Sequence, residues 1–158
     1  MERLKAYYKD AHVDGNVFEA VLAVSPDSPF DFHQRVEALN EFIQKIESKS
    51  LIEANKRIAN ILKDFDSNDV ELDSRLLIED SEQKLFQATE SIAKQLSEQK
   101  DYKAIVRSLL ELKEVIDTFF DTVMVNVDDI ELRQVRLKLI SRVRNLFLSV
   151  ADVSYLSS

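Results

Sequence analysis

Lys56, Arg57 and Asn60 fall close together on one face of a helical stretch, and Arg133, Arg136 and Arg144 recur along another. Lys and Arg hold phosphates, and an Asn amide can read a base edge with one donor and one acceptor. Asn126, inside Met124-Val125-Asn126-Val127, has the same chemistry, although its amide could equally cap a turn. For Lys56, Arg57 and Asn60 the plainer alternative is an ordinary solvated helix face. No catalytic set accompanies these groups. The single glycine, Gly15, cannot build a phosphate-binding loop. There is no cysteine nucleophile, the serines lack a His and Asp arrangement, and the many carboxylates read as a solvated acidic surface. His12 and His33 stand alone, so no metal site is expected.

The candidates must act within an acidic chain. Its formal net charge is −8, which argues against a generic nucleic-acid binder. The charge is unevenly spread. Between Asp64 and Glu82 eight acids face one base, Arg75, whereas between Ile130 and Asn145 five bases face one acid, Glu131. Such a chain could grip RNA locally while another part of a larger assembly adds affinity. DNA is not expected as a partner. No run approaches the roughly 18 apolar residues of a membrane span, and Met1–Asp14 lacks the apolar centre of a signal peptide, so a soluble, cytoplasmic protein is expected.

The elements that position these residues are helices. The 158 residues are 45% hydrophobic with one Gly and two Pro, too few breakers for the turns of an all-β fold. The expectation is an all-α, single-domain helical bundle over residues 15–158, with residues 1–14 as the tail of a preceding helix or domain. Asn16 is read as the cap of a helix over 17–24, Asp31 of one over about 32–47, and Ser50 of one over 51–65. Residues 66–73 are read as a solvated acidic segment. Helices over 79–99 and 101–123, joined by a tight turn at Lys100, suggest an antiparallel pair. A last helix runs over 130–151.

Projected at about 100° per residue, that last helix puts Leu132, Val135, Leu139, Val143, Leu146 and Val150 on one arc. Glu131, Gln134, Lys138, Ser141, Arg142 and Asn145 lie opposite. Arg136 falls inside the apolar arc, while Arg133 and Arg144 lie at its margin, where they could reach RNA. A buried guanidinium needs a partner, so Arg136 reads as an internal brace, with Asp121 and Asp128 the nearest acids in sequence. Asn55 projects onto the apolar side of its helix, either as a hydrogen-bonded core group or as part of a recognition surface. Phe65, Tyr102 and Tyr155 are the candidate aromatics for stacking unpaired bases.

Residues 119–156, with Phe119-Phe120-Asp121-Thr122 and Leu132-Arg133-Gln134-Val135-Arg136-Leu137, resemble the closing segment of the bacterial glycyl-tRNA synthetase beta subunit. Ala54-Asn55-Lys56-Arg57-Ile58-Ala59-Asn60 and Arg35-Val36-Glu37-Ala38-Leu39 resemble that family's preceding helices, in the same order. The resemblance implies a DALR-type anticodon-binding module. The motif that gives this module its name is imperfect, the nearest string being Ile130-Glu131-Leu132-Arg133. It also implies a longer beta subunit that, with an alpha subunit holding the catalytic site, joins glycine to its tRNA using ATP and Mg. The module itself would need no cofactor and would recognise an anticodon whose second and third letters are C. Without the resemblance, composition alone favours a helical protein–protein interaction module.

Overall fold

The computed structural model describes residues 6–7, 15–63, 65, 72–98 and 101–156. Most of the tail over 1–14, His12, most of the acidic segment over 66–73 and the turn at Lys100 lie outside the described residues. Among the described residues there are seven α-helices and no strand: α1 (Gly15–Leu22), α2 (Pro29–Ile43), α3 (Ser48–Ile61), α4 (Asp80–Glu98), α5 (Tyr102–Leu110), α6 (Lys113–Thr122) and α7 (Ile130–Leu148). Two short 3-10 turns, Ser74–Leu76 and Val153–Tyr155, complete the order.

α1 buries Val17, Phe18, Ala20 and Val21. It ends where Ser25 takes a left-handed φ of 50° ahead of Pro26, a position that a glycine would occupy with less strain. Ser28 caps α2 by accepting from the Asp31 N–H at 3.1 Å, with Pro29 at the first helical position. The sequence reading placed that cap at Asp31, whose carboxylate is instead engaged by Arg35 and Tyr102. Ser50 does not cap α3 either. The helix starts at Ser48, and the Ser50 hydroxyl donates to Asp117 on α6 at 2.7 Å.

The single helix expected over 101–123 is two. Asp101 caps the first through the Lys103 N–H. At Glu111 and Leu112 the backbone N–H groups donate three residues back, to Ser108 and Leu109, which tightens the turn and redirects the axis. Leu109, Leu112, Ile116 and Phe119 all remain in the core, while α5 packs on α2 and α6 packs on α4 and α3. No Gly or Pro marks this break, so periodicity could not reveal it.

α7 is the central element. It packs against α3 and α4 and buries nine residues, including Arg136 and Ser141. The expected polar arc is therefore only partly solvated, because neighbours cover Ser141 as well as the valine and leucine stripe. α7 ends at Leu148, three residues earlier than expected. The chain then folds back as the 3-10 turn, which packs on α3 and α1, and the Asp152 N–H donates to the Ala20 carbonyl at 2.9 Å.

Arg35 locks this end of α7. One of its terminal nitrogens, Nη1, donates to the Ser149 and Val150 carbonyls, each at 2.9 Å, and Nε donates to Asp31 at 2.8 Å. A cation at a helix C-terminus satisfies exposed carbonyls and opposes the macrodipole. The guanidinium stacks 4.6 Å over the Tyr102 ring, whose hydroxyl donates to Asp31 at 2.6 Å. Burial raises the Asp31 carboxyl pKa, but the Tyr102 hydroxyl and Arg35 outweigh it and hold the group below the usual carboxylate range. Its contribution is thus complete at neutral pH and is lost as the pH falls through that lowered pKa. Replacing Arg35 by Met should cost about 2 kcal/mol in urea unfolding. A loss below about 0.5 kcal/mol would show that water replaces the guanidinium at those carbonyls.

Candidate nucleic-acid interface

The exposed face of α3 carries Glu53, Lys56, Arg57 and Asn60, while Leu51, Ile52, Ala54, Asn55 and Ile58 point inward. Asn55 is fully buried and donates to the Leu51 carbonyl at 2.8 Å. It is therefore a core group and not part of a recognition surface. Arg57 reaches across to α6 and places its guanidinium carbon 4.4 Å from the centre of the Phe120 ring. That contact forms a wall of a cavity of about 470 Å³, lined by Arg57, Ile61, Phe120 and residues 121–126. A second cavity of about 340 Å³ shares Arg57, Phe120 and Asp121 and extends to Ser50, Glu53 and Asp117.

The segment after α6 explains how an asparagine fits in a valine run. Val123 is extended, with φ −119° and ψ 129°, and side chains alternate along such a chain. Val123 and Val125 are buried, whereas Met124 is 73% exposed and Asn126 points outward. Asn126 and Met124 line the same cavity as Arg57.

Arg136 fastens this segment from behind. It is 5% exposed and donates from Nη1 to the Met124 carbonyl at 2.6 Å. Its Nε and Nη2 bind the two carboxylate oxygens of Glu82 at 3.1 and 3.2 Å. The brace expected from sequence is present, but its partners are not Asp121 and Asp128, which are both exposed. Glu82 comes from the first turn of α4 and is itself fully buried. It also accepts from the Glu79 N–H at 3.1 Å, the reciprocal half of a capping box. Ser81 and Thr122 add a hydroxyl contact at 2.7 Å between α4 and the end of α6.

The remaining candidates are dispersed. Lys56 and Asn60 are exposed on α3 but line neither cavity. Arg133 is half-buried on the first turn of α7 and also lies outside both. Arg144 was expected at a solvent margin. It is instead only 16% exposed and donates to Asp152 at 3.0 Å, because the chain folds back after α7 and brings that carboxylate to it. The aromatics shift as well. Phe65 packs against the core, Tyr102 is committed to Arg35 and Asp31, and Tyr155 is 53% exposed. Sequence reasoning missed Phe120, which sits one helical step from the core residue Phe119 and so escaped the stripe. It also missed Glu82, because Glu79, three residues before it, is not a residue type that marks a capping box.

The arrangement offers an aromatic-backed cation, an outward amide and a carboxylate around an open cavity. Groups of these types can bind a polar planar group or a phosphate. Among the described residues no three acids or histidines gather as metal ligands, and no helix is long and apolar enough to cross a membrane.

A family profile described as DALR anticodon binding domain matches residues 51–153, from α3 to the C-terminal turn and so across every wall of the cavity. The chain belongs to this family. The resemblance read from residues 119–156 and the α3 string thus holds, and the all-α fold is that of a DALR domain. The chain is 44% identical over 159 aligned residues to the glycine–tRNA ligase beta subunit of Pseudomonas aeruginosa, covering 98% of this chain. It is 43% identical over 157 residues to the corresponding subunit of Acinetobacter baumannii, again covering 98% of the chain. The chain spans 23% of the length of these relatives.

Proposed function

We propose that this DALR domain binds the anticodon of glycine tRNA within a cytoplasmic glycine–tRNA ligase beta subunit. In the whole enzyme, ATP and Mg activate glycine at a catalytic site on the alpha subunit, and this domain anchors the far end of the tRNA. The observation that carries the reading is that the Arg57–Phe120 stack and Asn126 line one cavity of about 470 Å³. That volume lies within the roughly 300–1,000 Å³ of small-ligand pockets. Unpaired bases are recognised in such places by stacking and edge hydrogen bonds. Lys56 and Asn60, on the same helix face, suit the adjoining phosphates, and Arg133 suits the entry to α7. The engagement of Arg144 by Asp152 makes it a support for the C-terminal turn in this reading. The protein-interaction alternative draws on exposed apolar residues such as Phe30 and Ile46, but Phe30 stands in the first turn of α2 and Ile46 in the turn beyond its C-terminal end.

A binding titration tests the proposal. Affinity for glycine tRNA should fall with salt, with a log–log slope near −0.7 per phosphate held on a single strand. It should weaken by about tenfold or more when either anticodon C is replaced. Equal affinity for all anticodon variants would sink the reading role.

A further inference from the structure

Asp121 lines both cavities beside Arg57, is exposed, and makes no hydrogen bond or ion pair among the described residues. Its neighbour Asp117 is committed, accepting from Ser50 at 2.7 Å and from Lys113 at 2.9 Å. Glu53 lines only the smaller cavity. Arg57 is held against Phe120 but spends none of its N–H donors on another residue of the described chain. The larger cavity therefore presents an unengaged acceptor, Asp121, and a donor, Arg57, that Phe120 holds in place. Asn126 adds an amide that can turn either way.

We infer that Asp121 and Arg57 together read one cytosine of the anticodon, Asp121 accepting from the exocyclic amino group and Arg57 donating to the ring nitrogen and carbonyl. Cytosine is the pyrimidine with that order of groups on its pairing edge. Uracil places a carbonyl oxygen where cytosine carries the amino group, so the Asp121 carboxylate would face a second acceptor with no proton between them. Carboxylates accepting from the cytosine amino group are a general mode of base reading. The exposed Met124 and the ring of Phe120 close the cavity on its apolar side. The inference rests on the anticodon-binding reading and adds to it the residue that discriminates.

The test uses the intact ligase carrying this domain and glycine tRNA transcripts with U or G at the second or third anticodon position. The unaltered enzyme should lose about 10- to 100-fold in affinity for U at one of the two positions. Asp121→Asn offers a donor or an acceptor by rotation, so its discrimination between C and U there should fall to about threefold. The melting temperature should not change, because Asp121 is exposed. If Asp121→Asn keeps the full discrimination at both positions, the Asp121 assignment is overturned while the anticodon reading stands. If G at that position binds as well as C, the cytosine assignment is overturned. If the unaltered enzyme distinguishes neither position, the anticodon reading and this inference fail together.

Discussion

Arg136→Ala should be the most damaging single substitution in this domain, lowering its stability by about 3–5 kcal/mol. The reason is the partner left behind. Glu82 is fully buried and receives two of its three hydrogen bonds from Arg136. Without the guanidinium, its charge is stranded in the core or must be neutralised by a proton. In a domain of this size each kcal/mol moves the melting temperature by about 2–4 °C, so a fall on the order of 10 °C is expected in thermal unfolding. Replacing Glu82 by Leu and Arg136 by Met together should cost much less, since a buried pair exchanged for apolar groups is often nearly neutral. The double variant still loses the hydrogen bond to the Met124 carbonyl. It should therefore stay folded yet bind tRNA more weakly, through a segment over 123–126 that is no longer held. A single Arg136→Ala variant with unchanged melting temperature and lost RNA binding would refute the brace and make Arg136 a contact residue.

The helical nature of the chain was legible because periodicity, caps and the scarcity of Gly and Pro all point one way. Its departures have local causes. The break at Glu111 and Leu112 involves no breaker residue, only a tightened turn that lets α5 and α6 address different neighbours. Buried polar residues were legible as anomalies but not as pairs. The wheel placed Arg136 in the core, yet the nearest acids in sequence were the wrong ones. Glu82 lies 54 residues away and is brought in by the packing of α4 on α7. Arg144 failed for the same reason, since no wheel shows that the chain after Leu148 turns back and presents Asp152. The site was half legible. Arg57 and Asn126 were picked for their chemistry, and the fold sets both in the lining of one cavity. Phe120 was not singled out, and Asp121 was read as a partner for Arg136, because their place beside Arg57 depends on the packing of a different helix.

The double substitution Lys56→Ala plus Arg57→Ala should reduce aminoacylation of glycine tRNA by the whole enzyme about 100-fold in kcat/KM while leaving the domain folded. Both residues are exposed, and the Arg57 stack on Phe120 is worth only about 0.5–1 kcal/mol to stability at such a site. Melting should therefore shift by no more than a few degrees. The two residues contribute differently. Lys56 lines no cavity, so its loss should weaken all tRNAs alike and reduce the salt slope by about one phosphate. Arg57 stands in both cavities, so its loss should also blur the distinction between anticodons. Single variants separate the two effects: Lys56→Ala is expected to change salt dependence without changing specificity, and Arg57→Ala to change both. If Arg57→Ala behaved as Lys56→Ala does, the guanidinium would be a phosphate clamp, and base reading would have to lie with Asn126 and the backbone of the extended segment. If neither substitution changed aminoacylation, the α3 face would be the solvated surface that its amphipathic pattern alone describes, and the cavity beside Phe120 would carry no part of the tRNA.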